Sequence, residues 1–264
     1  MTRIVQEVLF FAFLHCFALA PIAIARAETD GHGFTLDSRV ALAAYGTAVD
    51  ARLVGILAAA RVLAATADAK SGDWARIRGP LSTLAESEPA NSAVWFARPD
   101  GSYYSVEKGP TNQSLKERDY FPRLLAGRDV VGSLVISKST GLRSVIVASP
   151  VFRDGGVIGV IGVSLDVRRL SASLDRAIGF PSDVVFYALD AKGQTALHHT
   201  DELIFELPTE KGSPTLSAAV ATMLAEPAGT VHYVYAGNER TAVFRHSALT
   251  GWVFVLGHIG APVP

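Results

Sequence analysis

The sequence predicts an α+β protein in which a long N-terminal helix packs on two tandem modules, each built on an antiparallel sheet. Apolar residues recur at steps of three and four over residues 36–70, a spacing typical of an amphipathic helix. Segments with a period of two residues follow, separated by turns rich in glycine, and they indicate antiparallel strands. The same order of strands and helices occurs twice, which predicts one module at 92–165 and a second at 183–260.

The composition fits a packed domain and excludes several classes of function. The 264 residues are 49% hydrophobic and 19% charged, which rules out global disorder. Lys and Arg total 24 against 25 Asp and Glu, so the chain lacks the basic surplus that nucleic-acid proteins and polybasic membrane binders need. We therefore expect no nucleic-acid partner. Cys16 is the single cysteine, which argues against thiol catalysis and disulfides.

The N-terminus has the features of an export signal. Arg3 supplies a positive charge, residues 9–25 are mostly apolar, and a small-x-small cleavage motif ends at Ala27. We predict a signal peptide at residues 1–27 and a mature protein that is periplasmic or secreted. Cleavage would remove Cys16, which suits an oxidising compartment. The alternative is an uncleaved helix that anchors the chain in the inner membrane.

Residues 28–91 are predicted to form a helical stalk. The helix at 36–70 would be about 50 Å long at about 1.5 Å per residue, which is longer than a small domain is wide. Gly72 would end it, and a second helix would cover residues 74–86 before Pro89. A helix of this length also suits a parallel homodimer, unless its apolar stripe is used up by the two modules.

Each module is predicted to contain two strands, a helical connection and three further strands. In the first module the strands are 92–97, 102–107, 132–138, 142–150 and 157–165, with the connection at 113–126. In the second they are 183–189, 194–198, 230–235, 240–247 and 252–258, with a helix at 214–224 and a linking helix at 166–182 before the module. Each sheet would leave one face available as a pocket beneath its connection.

Aligning the repeat matches residues 94–97 with 185–188 and residues 143–147 with 240–244. The alignment therefore places Trp95 at the same position as Phe186, and it treats the two modules as equivalent in fold.

Short motifs in the first module, and one in the second, support a family resemblance. They are Arg118-Asp119-Tyr120-Phe121, Gly132-Ser133, Ser139-Thr140-Gly141, Ser149-Pro150-Val151, Gly155-Gly156-Val157-Ile158-Gly159-Val160, Ser164-Leu165-Asp166 and Thr250-Gly251-Trp252. In this order and spacing, over about residues 36–257, they resemble the double Cache (PDC-type) sensor domains of bacterial chemoreceptors, histidine kinases and diguanylate cyclases. The resemblance implies PAS-like modules and a role in binding small molecules outside the cytoplasm.

The resemblance also carries an expectation about signalling. Family members usually lie between two transmembrane helices and feed a cytoplasmic output domain. This sequence ends at Pro264, shortly after its last predicted strand. We therefore expect a signal to pass to a separate membrane-bound receptor or kinase.

In the family the membrane-distal module, here the first, usually carries the ligand. The matching motif implies Arg118, Tyr120 and Phe121 as ligand-binding residues, and a guanidinium suits a carboxylate. Trp95 and Tyr104 on the first hairpin can close such a pocket. The alternatives are that Arg118 pairs with a neighbouring acid and that the four aromatic residues are ordinary core.

The third and fourth strands of the first module suggest which ligand. A two-residue turn at Thr140-Gly141 would place Lys138 opposite Arg143, and like charges directly opposite either point into water or share an anion. Amino-acid-binding relatives commonly have an aspartate hereabouts, whereas this chain has Ser137 and Lys138. We therefore expect a small carboxylate or other anion rather than an amino acid, with a solvated surface as the alternative.

Other chemistry finds little support in the sequence. His232 and His258 would lie about 9.6 Å apart on either side of Val243, too far to share a zinc ion that needs nitrogens at about 2.1 Å. Residues 198–201 are predicted to form a solvated strand end, with His198 leaning over a pocket of the second module as the alternative. Signatures of nucleophilic enzymes and phosphate loops are missing, so we expect no cofactor, no metal and no enzymatic activity. The second hypothesis is a partner-docking module with a degenerate pocket.

Overall fold

The computed structural model of the protein describes residues 37–263. The predicted signal peptide, residues 1–27, lies outside the described residues. The long helix is divided into α1 (Ser38–Ala64) and α2 (Ala67–Ser71), and α3 (Trp74–Ser87) follows. A single helix to residue 70 is therefore wrong, because the Thr66 hydroxyl accepts from Ala69 N at 3.2 Å and starts α2 as its N-cap.

The first sheet has six antiparallel strands in the order β3-β2-β1-β6-β5-β4. They are β1 (Asn91–Ala97), β2 (Ser102–Ser105), β3 (Gly109–Ser114), β4 (Val130–Ile136), β5 (Arg143–Arg153) and β6 (Gly156–Asp166). The predicted helical connection at 113–126 is mostly wrong, since β3 pairs with β2 in a hairpin and only α4 (Phe121–Leu125) is helical. The residues of β3 are polar and largely exposed, so no apolar alternation marks them as a strand.

The second sheet has five antiparallel strands in the order β8-β7-β11-β10-β9. They are β7 (Val184–Leu189), β8 (Thr195–His198), β9 (Ala228–Tyr235), β10 (Asn238–His246) and β11 (Val253–Pro262). The linking helix α5 (Val167–Ile178) precedes it, capped by the Asp166 carboxylate, which accepts from Arg168 N at 2.9 Å. Between β8 and β9 lie a short 3-10 turn, α6 (Pro208–Lys211) and α7 (Pro214–Ala225).

Helix α1 supplies one core to both modules. Its buried residues include Tyr45, Val49 and Leu53, and they share a cluster with Val147 and Val163 of the first sheet and with further apolar residues of the second. By length and composition α1 could cross a membrane, but its buried stripe is packed against both sheets. We call the sheet faces that contact α1 the inner faces, and the opposite faces the outer faces.

The two modules touch through specific hydrogen bonds. The Trp252 indole of the second module donates to Gly132 O at 3.0 Å, and the Arg143 guanidinium of the first donates to Ile204 O at 2.6 Å. Each outer face has its own small core, under α4 in the first module and under α7 in the second. A ligand of either module would therefore have to lie on an outer face or between the modules.

Candidate functional site

The outer face of the first sheet is filled by its own side chains. The Trp95 indole lies across Gly162 so closely that a Cβ there would be 2.1 Å from the ring, and Trp95 Nε1 donates to Ser164 Oγ at 3.1 Å. Tyr103, Tyr120 and Phe121 are also buried in this cluster. Three of the four predicted aromatic residues, Trp95, Tyr120 and Phe121, therefore lie in one cluster. They pack within this cluster and do not surround an empty space.

Tyr104, the fourth predicted aromatic residue, lies on the opposite side of the sheet. It pairs with Phe96, and its ring stacks on Trp74 of α3 with centroids 5.1 Å apart. The Arg98 guanidinium also lies over the Tyr104 ring, with its Cζ 5.1 Å from the centroid. Tyr104 therefore does not line the face that carries Trp95, because successive residues of a strand point to opposite faces.

The predicted pairing of Lys138 with Arg143 is wrong. Arg143 pairs with Ile136, and Ser137 N donates to Leu142 O at 2.8 Å, so the turn contains four residues rather than two. The Ser137 side chain is used inside this turn, with its hydroxyl 3.3 Å from that of Ser139. The two cations therefore do not face each other across the strands.

Each of the three predicted anion-binding cations donates to a backbone carbonyl. Arg118 donates to Ile136 O, Lys138 to Ser114 O and Arg143 to Ile204 O, all at 2.6 Å. One hydrogen-bond donor of Arg118 has no partner, since its buried Nε–H finds no acceptor among the described residues. The guanidinium borders a groove of about 450 Å³ between the modules.

This groove carries charges of both signs. Arg118 and Arg123 lie beside Asp119, Asp190 and Lys192. Lys192 Nζ lies 4.0 Å from Asp119 Oδ2, with both side chains largely in solvent. Such exposed charges are screened by water and interact weakly, so the groove has no strong preference for either sign of ligand.

A more enclosed cavity of about 300 Å³ lies on the outer face of the second sheet. Its roof is formed by residues 199–212 and the start of α7, and its floor by β7, β9, β10 and β11. Much of the lining is apolar, supplied by Val185, Leu203, Leu207, Leu216 and Ile259. Cavities of this size are within the range that binds small organic molecules.

The strand register explains why this cavity exists. In the second sheet Val185, Gly257 and Ala242 form one cross-strand row, whereas one row of the first sheet is Trp95, Gly162 and Ala148. The predicted alignment of Trp95 with Phe186 is wrong, because Trp95 belongs to the outer-face cluster and Phe186 to the inner one. Trp95 and Val185 are alike in that each lies opposite a glycine of the central strand. A slip of one residue exchanges the two faces of a strand, and Phe186 indeed packs on the inner face.

Arg240 is the charged residue of this cavity. Its Cζ lies 5.9 Å from the centroid of the Tyr235 ring, and its Nε is buried without an acceptor. Among the described residues, no carboxylate lies within ion-pair distance of the guanidinium. The cavity therefore contains a cation whose hydrogen-bond donors are unused.

His198 and two tyrosines complete the polar lining. His198 Nδ1 accepts from Thr200 N at 2.8 Å, so the neutral ring carries its proton on Nε2. Burial, helped by the charge of Arg240 and the neighbouring His199, lowers the pKa of His198 to about 3. The hydroxyls of Tyr187 and Tyr233 lie 3.2 Å apart, and burial raises the pKa of both. These groups are neutral near pH 7.

The predicted solvated strand end is wrong for His198, which is buried and lines this cavity, as the alternative expected. Arg240 was not among the predicted site residues. A usable signal was present, since Arg240 alternates with Ala242 and Phe244 and thus points to the same face as these buried residues. His232 and His258 do flank one residue, although it is Thr241 and not Val243. Within residues 37–263 no group of three or more His, Cys, Asp or Glu is placed to hold a metal ion.

Comparisons with known proteins agree with this fold. Residues 36–258 match the family model described as Cache domain. No curated protein matches the sequence.

Solved structures give the same result at low sequence identity. The extracellular domain of a protein described as a histidine kinase, rpHK1S-Z16, has a TM-score of 0.69 at 15% identity, covering 84% of this chain and 92% of that one. The ligand-binding domain of the Pseudomonas fluorescens chemoreceptor CtaA, solved with L-isoleucine, has a TM-score of 0.63 at 15% identity, covering 84% and 93%. An extracellular ligand binding receptor from Desulfohalobium retbaense has a TM-score of 0.64 at 16% identity, and the match covers 84% of this chain but only 40% of that receptor.

Proposed function

The chain belongs to the Cache domain family, and we propose that it is an extracytoplasmic sensor domain that binds a small carboxylate or other anion. It has no catalytic role in this proposal. In this proposal the domain passes the signal to a membrane-bound receptor or kinase, since similar domains belong to a histidine kinase and a chemoreceptor.

One observation carries the proposal of an anionic ligand. Arg118 and Arg240, one in each module, both have a buried Nε with no acceptor among the described residues. A buried donor without a partner costs free energy, and a bound carboxylate would supply the partner. The guanidinium geometry matches two carboxylate oxygens at once.

Native mass spectrometry of the protein recovered from the periplasm tests whether it carries a ligand. We expect a retained small molecule whose mass and fragmentation indicate an acid. A thermal-shift panel would then compare amino acids with organic acids of matched carbon skeleton, since a ligand that binds only the native state raises stability by RT ln(1 + [L]/Kd). Stabilisation by amino acids but not by organic acids would reject the anion proposal.

A second candidate function is a partner-docking module with a degenerate pocket. The filled outer face of the first module favours it, because Trp95 and Phe121 occupy the space in which a ligand would lie. If the purified protein retains no small molecule and no compound of the panel changes its melting temperature, the docking function replaces the sensor function.

A further inference from the structure

We infer that the ligand site is the cavity of the second module, and that it takes a carboxylate with an apolar body whose charged end meets Arg240. This inference rests on the proposed sensor function and specifies its site and ligand class. It differs from the expectation for the first module, in which Arg118 was the predicted partner.

The charge of the cavity determines the head group of the ligand. The Arg240 guanidinium has only the Tyr235 ring as a partner, at 5.9 Å, and the described residues supply no acceptor for its donors. Charged groups inside proteins are normally paired with an opposite charge or a set of hydrogen bonds. A carboxylate satisfies both requirements because it can accept two parallel hydrogen bonds from one guanidinium.

The neighbouring polar groups are suited to the same head group. His198 Nδ1 is occupied by Thr200 N, so Nε2–H is its available donor. The ring is in contact with Tyr187, with centroids 5.9 Å apart, and both belong to the cavity lining. A neutral imidazole can donate to an anion without adding a second buried charge.

The apolar lining determines the body of the ligand that carries this head group. Val185, Leu203, Leu207, Leu216 and Ile259 surround the space, which at about 300 Å³ is roughly twice the volume of a cavity that admits benzene. An aliphatic chain or an aromatic ring fits such walls, and its burial contributes about 25 cal/mol per Å² of apolar surface.

An ammonium group on the ligand is disfavoured. Burial is the main cause that lowers the pKa of His198 and His199, and the positive charge of Arg240 lowers both further. Two carboxylates, Glu202 and Glu206, also line the roof, but Glu202 is exposed to solvent. An α-amino acid would place its ammonium next to its carboxylate, hence close to the guanidinium.

The rival site at Arg118 is weaker on the same criteria. One Arg118 nitrogen already donates to Ile136 O at 2.6 Å, whereas no donor of Arg240 is used in this way. Its groove is open, and acids of the first and second modules lie beside it. The lining of the Arg240 cavity is more apolar than that of the groove, so an ion pair there is less screened.

Isothermal titration calorimetry on the mature protein tests the inference with phenylacetate and hexanoate. Each acid is compared with its neutral amide and with phenylalanine or leucine. Four variants are used: Arg240→Gln, Val185→Trp, Arg118→Gln and, as a matched control, Arg245→Gln, which lies on the same strand outside the cavity. We expect the acids to bind, the amides and amino acids to bind at least about tenfold more weakly, and Arg240→Gln to lose about 10- to 100-fold in affinity.

Val185→Trp should abolish binding by filling the cavity, while Arg118→Gln and Arg245→Gln should bind as the parent does. Binding that depends on Arg118 and not on Arg240 would overturn the site while leaving the sensor function in place. Equal binding of acids and amino acids would overturn the ligand class. If neither acid binds, the inference is wrong, and native mass spectrometry of the periplasmic protein then decides separately whether the sensor function stands.

Discussion

The two sheets have the same strand order apart from the extra edge strand β3 of the first, but they differ in how side chains fill their outer faces. Trp95 and Val185 each lie opposite a glycine of the central strand. The indole covers Gly162 and helps to fill the first face, whereas the smaller Val185 lines the cavity of the second. The comparison teaches that a repeated fold can keep a pocket in one copy and close it in the other through the bulk of the side chains on the outer face.

Replacing the indole should have the largest effect on stability. Trp95→Val removes a buried ring that is 3% exposed and leaves a void in the cluster on the outer face. We expect a loss of about 3 kcal/mol in the free energy of unfolding, measured by urea denaturation. Addition of indole should recover part of the melting temperature, because the new void matches it. A loss under about 1 kcal/mol would mean that the first face is not held together by Trp95.

The two central glycines provide a matched pair of substitutions. A Cβ at Gly162 would lie 2.1 Å from the Trp95 ring, whereas a Cβ at Gly257 would have its nearest neighbour at 3.6 Å. We expect Gly162→Ala to cost about 2 kcal/mol through overpacking and Gly257→Ala to change stability by less than about 0.5 kcal/mol. Equal costs in the two modules, measured by thermal and urea unfolding, would contradict the proposed difference in packing.

The modules should also differ in their response to acid, because residues 92–165 contain no histidine and the second cavity contains two. Burial lowers the pKa of His198 from its usual 6.5 to about 3. Between these values the unfolded chain binds a proton that the folded chain does not, so the free energy of unfolding falls as the pH falls from 6.5 towards 3. The slope from this one group reaches about 1.4 kcal/mol per pH unit.

His198→Gln should therefore flatten the dependence of stability on pH in urea titrations at pH 4.5, 5.5 and 6.5. His232→Gln is the matched control, since it removes an exposed histidine of the same sheet. An unchanged slope in His198→Gln would show that the ring is accessible to protons in the folded state.

The sequence allowed the class of fold to be predicted but not the location of the best cavity. Strands and the repeat followed from alternation and turns, and the family resemblance followed from motif order. The register that places Trp95 and Val185 on the outer faces could not be predicted in this way. Strands β1 and β7 are apolar on both faces, so they show no alternation that would fix the register. The turn at Ser137–Leu142 was misjudged for a related reason, since its length depends on which residues pair and not on the Ser-Thr-Gly signal alone.

The last prediction concerns the contact between Arg143 of the first module and the roof segment of the second. Arg143 of the first module donates to Ile204 O and lies 5.8 Å from the Phe205 ring, in the roof of the second cavity. Phe205 has a φ of 70°, a conformation that costs free energy for a residue other than glycine, so the roof needs such contacts to hold its shape.

We expect Arg143→Gln to lower stability by about 1–2 kcal/mol and to speed proteolysis within residues 199–212. Arg153→Gln is the control, because Arg153 bonds Lys70 O far from the roof. Equal proteolysis of the two variants would mean that the cavity of the second module keeps its roof without help from the first.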